Sequence, residues 1–237
     1  MKTVSSIIMM LHVAAGFSSL LLFWIPAFTK KGGINHVRVG KIYMWLMWIV
    51  VITAAILSIK NLYIGRIEAA AFLGFLTFIT ANPLWKGIAI LNHKKGLSKS
   101  FQRNHLLFEI MILITGALLL GYGIYLQGKG GAILMIIFGI LGVSNFKPVI
   151  KLIKNPPQKM DWFMEHVKDM ITTGIAAYTA FFAFGGRTYL GEIFTGYWMI
   201  VPWVAPTIIG VFAMKYLEKY YAKKKKVGQV TASPVIG

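Results

Sequence analysis

The chain has 237 residues, of which 57% are hydrophobic and only 14% charged, a balance too apolar for an ordinary soluble domain. A net charge of +18 raises nucleic acid as a partner, but the placement of the charges assigns them to membrane topology instead. Cysteine is absent, which excludes disulfides, thiolate metal sites, iron–sulfur clusters and cysteine nucleophiles.

A membrane-crossing helix needs about 20 apolar residues, so this length supplies roughly seven crossings with short connections and no large soluble domain. The first apolar segment, Ser5 to Phe28, is longer than a signal-peptide core and lacks a small-residue cleavage site, so it reads as a retained helix. His12 lies inside it, roughly 10 Å below the surface by helical rise. Around His12, Ala14, Ala15, Gly16, Ser18 and Ser19 form a small-residue patch that lets another helix approach closely. That histidine is either a hydrogen-bonded structural group or a ligand or proton carrier.

Next comes "GGINHVRVGKIYMW", residues 32 to 45, read as a basic loop carrying His36, Arg38 and Lys41 into a second segment, Ile42 to Ile59. The third, Ile67 to Leu91, holds Asn82 and Pro83 in "TANPLW". His93 follows in the lysine-rich stretch "NHKKGLSKS" and reads as solvated. The fourth segment, Leu106 to Leu126, opens with "RNHLLFEI", which puts His105 at the boundary and Glu109 one turn deeper on the same face. A carboxylate in such apolar sequence is expected to point inward and to pair with a histidine, arginine or lysine.

The fifth segment, Ala132 to Phe146, contains Asn145 and is short. Its apolar positions continue among lysines in "KPVIKLIKNPPQK", which predicts a helix lying along anionic headgroups and ended by Pro156 and Pro157. The sixth, Met164 to Phe184, enters through an acidic first turn, Asp161 and Glu165, with His166, Asp169, Met170 and Thr173 on one face. The seventh, Tyr197 to Met214, has Pro202 and Pro206 in its interior. Residues 1–222 thus form one transmembrane domain, and residues 223–237 a basic, disordered tail.

Runs this long and continuously apolar suit helices rather than alternating barrel strands, so the fold class is all-α, a polytopic bundle of about seven helices. Lysine and arginine give the orientation. Twenty of them fall on one side, in the stretches Lys30 to Lys41, Lys86 to Arg103, Lys147 to Lys168 and Lys215 onward, against five on the other. This bias predicts an amino terminus outside and a carboxyl terminus in the cytoplasm, in a cell membrane. The expected partners are the bilayer and its anionic lipids at the basic loops, with no nucleic acid, and the oligomeric state stays open.

On this topology His36, His105, Glu109, His166 and Asp169 all approach the cytoplasmic surface, with Asn82 and Asn145 in the inner half of their helices. They define a candidate polar pocket, with His36 as its lid. His12, Arg38 and Tyr43 are secondary candidates.

The order of an early helix histidine, a His and Arg stretch with Gly and Tyr, and a late "H...M......TAF" resembles the bacterial membrane proteins grouped as domain of unknown function 2306. His12 with Gly16, His36 with Gly40 and Tyr43, and His166 with Met170, Thr179, Ala180 and Phe181 carry the resemblance. It implies a multispanning, histidine-bearing membrane protein, expected in a bacterial inner membrane, and brings no established activity. One departure matters: that pattern has arginine directly after the loop histidine, whereas here Val37 intervenes before Arg38, a turn of about 100° on a helix.

Four functional readings stay open. His105 and His166 at similar depth are possible axial ligands of a b-type haem in a redox protein. Glu109, Asp169 and the histidines are suitable groups for a proton-coupled carrier, although no internal repeat supports the familiar duplicated plans. Histidine and carboxylate together also suit a metal-dependent hydrolase, here without an HExxH sequence. A structural or assembly role is the fourth.

Overall fold

The computed structural model describes residues 2–126, 131–182, 198 and 201–226. Eight α-helices are present among them: α1 (Lys2–Phe28), α2 (Ile34–Tyr63), α3 (Ile67–Ala89), α4 (Lys99–Tyr125), α5 (Ala132–Val143), α6 (Phe146–Lys154), α7 (Trp162–Ala180) and α8 (Val201–Lys226). A 3-10 turn, Ile90–Asn92, follows α3, and no strand occurs among the described residues. The fold is all-α. Five stretches are long and apolar enough to cross a membrane: Val4–Phe28, Ile34–Tyr63, Ile67–Asn92, Lys99–Tyr125 and Ala132–Lys154.

Exposure patterns fit the same conclusion. Met10, Leu21, Trp45, Ile59 and Leu118, at 71%, 62%, 66%, 69% and 66% exposed, all present large apolar surfaces outward. Such a coat is unfavourable in water and neutral against lipid tails, which marks a membrane protein.

The helices follow the predicted segments with three differences. First, α2 starts at Ile34, so His36, Arg38 and Lys41 lie on helix and not in a loop. The break falls earlier, at Gly32, whose φ of 76° is one that residues with a Cβ rarely adopt, and nothing after Gly33 interrupts helical hydrogen bonding. Second, α5 stops at Val143 and Asn145 forms the N-terminal flank of α6, because Pro148 has no N–H to offer Ser144. Third, α8 remains helical through Lys226, past the expected start of the tail, with Pro206 in its interior as expected. Residues 227–237, Phe184 and the predicted seventh-segment residues Tyr197, Met199 and Ile200 lie outside the described residues.

Two compact units divide the chain, one comprising Met1–Val13 with Trp48–His166 and the other Ala14–Met47 with Val167–Gly237.

In the first unit, α2 turns into α3 through a left-handed Gly65 (φ 75°). The flanking bonds, Arg66 N–H to the Asn61 carbonyl at 2.8 Å and Gly65 N–H to Leu62 at 3.1 Å, complete a Schellman motif. Helices α4 and α5 then pack antiparallel at very short range. A Cβ on Gly116 would sit 2.6 Å from Gly142 Cα, one on Gly139 2.6 Å from Leu120 Cα, and one on Gly123 2.9 Å from Met135 Cβ. Small residues at these crossings give the close backbone approach that drives helix association in lipid. Phe75, fully buried, closes the α3 side against Gly142. Beyond the end of α3, Ile90, Leu97 and Phe101 form a small core covered by Trp85, Met160 and Trp162. There the Leu97 N–H donates to the Gln158 carbonyl at 2.9 Å and ties two loops together.

In the second unit, α1 and α7 meet through Gly174, which lies under the ring of Phe23, and through Tyr178. The Tyr178 hydroxyl donates to the Leu20 carbonyl at 2.8 Å and accepts from Trp24 Nε1 at 2.5 Å. Helix α8 packs on α7 with Gly210 against Ile175, and Lys168 forms an ion pair with Glu218.

Candidate functional site

Helix α4 has no charged residue between Glu109 and its end, yet Glu109 is retained in the middle of it. Its carboxylate is enclosed by three polar side chains of the first unit. His105, one turn earlier and 6% exposed, brings Nε2 to 3.1 Å from Oε1. Asn82 of α3 donates Nδ2–H to the same oxygen at 2.8 Å. Asn145, at the junction of α5 and α6, donates to the Glu109 backbone carbonyl at 3.1 Å and also to Oε2.

Each partner reaches Glu109 for a local reason. The i, i+4 spacing stacks His105 and Glu109 on one face of α4. Asn82 directly precedes Pro83, in a stretch where four consecutive residues, Ala81 to Leu84, are buried. The interruption at Ser144–Asn145 turns an amide side chain back toward α4, which a continuous helix would have presented elsewhere. Charge-assisted hydrogen bonds of this kind are what allow a carboxylate to persist in an apolar helix. Asn82 Oδ1, also buried, has no hydrogen-bond partner among the described residues.

A second polar contact joins α3 to the first turn of α7. Lys86 Nζ and Glu165 Oε2 are 2.8 Å apart, with side chains 14% and 24% exposed. Beside them His166 brings Nδ1 to 2.6 Å from the Gly87 carbonyl. A carbonyl only accepts, so Nδ1 carries the proton and caps one of the last carbonyls of α3. Asp161 serves as N-cap of α7, accepting from the Met164 N–H at 3.3 Å. Lys86 entered the sequence analysis only as an orientation charge; its place three residues after Pro83, still inside an apolar helix, was the available signal.

His12 pairs with Thr53 Oγ1 at 2.8 Å, so a hydrogen-bonded partner explains its presence in α1. His93 is not simply solvated: its ring nitrogens bond the Ala89 carbonyl at 2.8 Å and Ser98 Oγ at 2.9 Å.

His36 and Asp169 belong to the other unit. His36 donates Nδ1–H to the Pro26 carbonyl at 3.0 Å. Lys31 Nζ donates to that same carbonyl at 2.9 Å and to Ala27 at 2.6 Å, so both side chains cap the end of α1. Burial pushes the Lys31 ammonium below its usual pKa range. Arg38 is exposed on α2, and regular helix from His36 onward turns it away from the direction an arginine at position 37 would take. Tyr43 is buried, with its hydroxyl 2.8 Å from Thr173 Oγ1, and Asp169, one turn earlier on α7, is buried too, at 7% exposure.

The two-histidine haem geometry can be tested against these rings. Both axial imidazoles must aim Nε2 at one iron. His105 instead turns Nε2 to Glu109, so the pair His105 and His166 does not fit that group. Among the described residues no three His, Asp or Glu side chains converge as a metal ion requires.

Long apolar helices, one of them holding a hydrogen-bonded carboxylate and imidazole, define the class as an α-helical membrane protein. The chain matches no family model, no curated protein and no solved structure.

Proposed function

We propose that this is a multi-pass protein of the cell membrane, a bacterial inner membrane, with about seven spans and a cytoplasmic carboxyl terminus. In this reading the His105–Glu109 pair takes up and releases a proton, and the protein works as a proton-coupled carrier. The observation that carries it is the hydrogen bond between His105 Nε2 and Glu109 Oε1 inside an apolar helix. Imidazole and carboxylate share a proton readily there, since either form keeps a hydrogen bond between them. The unsatisfied Oδ1 of Asn82 supports the same reading. By turning its amide over, Asn82 accepts from a protonated Glu109 as readily as it donates to the ionised one. The resemblance of the histidine pattern to domain of unknown function 2306 supports the multispanning, histidine-bearing part of this reading and brings no activity with it.

Infrared difference spectra between acid and neutral pH test the site. Of the seven Asp and Glu in the chain, Glu109 alone should contribute a carboxylic acid band that disappears in Glu109→Gln while the bands of the other acids persist. Proteoliposomes with an imposed proton gradient test the transport: solute uptake from a cell extract should require the gradient and Glu109. A spectrum that Glu109→Gln leaves unchanged defeats the proposal.

A second reading, a purely structural clamp between helices, is favoured by Asn145, which bonds both the backbone and the carboxylate of Glu109. Under it Glu109→Gln lowers stability while removing no titrating band.

A further inference from the structure

Helix α6 separates its residues sharply by face. Val149 is buried, and Ile150 and Leu152 are half-buried, while Lys147, Lys151 and Lys154 are exposed. At 100° per residue the three lysines fall within about 60° of one another on the side opposite Val149. Their spacing of four and then three residues stacks them in a ladder of roughly 10 Å along the helix. Flanking the buried stripe, Phe146 and Ile153 are 56% and 55% exposed. Apolar side chains thus project outward on the same short helix that displays three ammonium groups. No acidic residue lies in α6, which packs on α4 and buries Val149.

Water alone is a poor environment for this helix, because Phe146 and Ile153 would remain wetted. Hydrocarbon alone is worse for the lysines. A lipid surface with negative headgroups satisfies both, since phosphate meets the ladder while the acyl region receives the two apolar side chains. We propose that α6 is a binding site for anionic phospholipid, with Lys147, Lys151 and Lys154 holding the headgroup phosphates. This rests on the membrane reading of the chain and goes further, in assigning lipid selectivity to one helix among several basic stretches.

The test uses the purified full-length protein in neutral detergent, titrated with phosphatidylglycerol or phosphatidylcholine and followed by native mass spectrometry. Wild type should retain phosphatidylglycerol in preference to phosphatidylcholine. K147Q/K151Q/K154Q should weaken that retention by roughly a hundredfold, on the basis of about fivefold per lysine at a charged surface. K95Q/K99Q/R103Q removes the same charge from exposed positions elsewhere and should leave retention within about twofold of wild type. Equal loss in both triple variants, or equal retention of the two lipids by wild type, overturns the proposal. Displacement of the lipid by soluble glycerophosphoglycerol alone also overturns it, in favour of a soluble-anion site. Extraction of the protein from membranes without detergent would instead refute the membrane reading itself, so the two failures are distinguishable.

Discussion

Asn145 donates both to the backbone carbonyl of Glu109, at 3.1 Å, and to its carboxylate, so one amide fixes the depth of α6 against α4 and the direction of the acid. Replacing Asn145 by Ala removes both donors and leaves Asn82 and His105 to hold the charge. Hydrogen bonds between membrane helices contribute about 0.6 kcal/mol on average and up to about 1.7. With two bonds and a charged acceptor, Asn145→Ala should cost about 1–2 kcal/mol, read from the thermal melt of the purified protein. No change in the melt would show that Asn145 does not hold Glu109.

The α4–α5 crossing offers a contrast between neighbouring glycines. Gly116 faces the backbone of Gly142 at a distance no Cβ tolerates, whereas Gly121 has nothing within 4 Å. Gly116→Ala must push two backbones apart and should destabilise by about 1–3 kcal/mol. Gly121→Ala should be neutral or stabilise by up to about 1 kcal/mol through helix propensity. Equal effects from the two would contradict the packing.

Lys86 and Glu165 are mostly buried, so their ion pair should resist screening by salt. A double-mutant cycle with Lys86→Met and Glu165→Gln should give a coupling of about 1 kcal/mol that persists in high salt, unlike that of an exposed pair. A coupling that vanishes on raising ionic strength would show the contact to be solvated.

Tyr43 and Thr173 should respond unequally. Thr173 Oγ1 keeps the Met170 carbonyl, at 2.7 Å, when the Tyr43 hydroxyl is removed. Tyr43→Phe should therefore cost only about 0.5–1 kcal/mol. Thr173→Val strands a buried phenol and should cost about 1–3 kcal/mol, while Tyr43→Phe added to it should recover most of that loss. Chemical denaturation of the three variants in detergent reads the order directly.

What the sequence determined by itself is the membrane character and the helical class, because segments such as Leu106 to Leu126 leave the backbone no hydrogen-bonding partner in lipid except itself. The pairing of His105 with Glu109 was legible for the same local reason, since four residues along one helix are neighbours wherever that helix packs. Helix starts were less legible: the basic residues around His36 look like a loop, yet continuous hydrogen bonding after Gly33 makes them helix. Only tertiary structure decided that Asn82 and Asn145, 63 positions apart in the chain, converge on one carboxylate. It also decided that Lys86 meets Glu165 and that His166 and His36 cap the carbonyls of other helices. Periodicity gives the face of a helix but not its neighbour. Here the neighbour was set by glycines that let α4 and α5 touch and by a proline-interrupted junction that turned Asn145 inward.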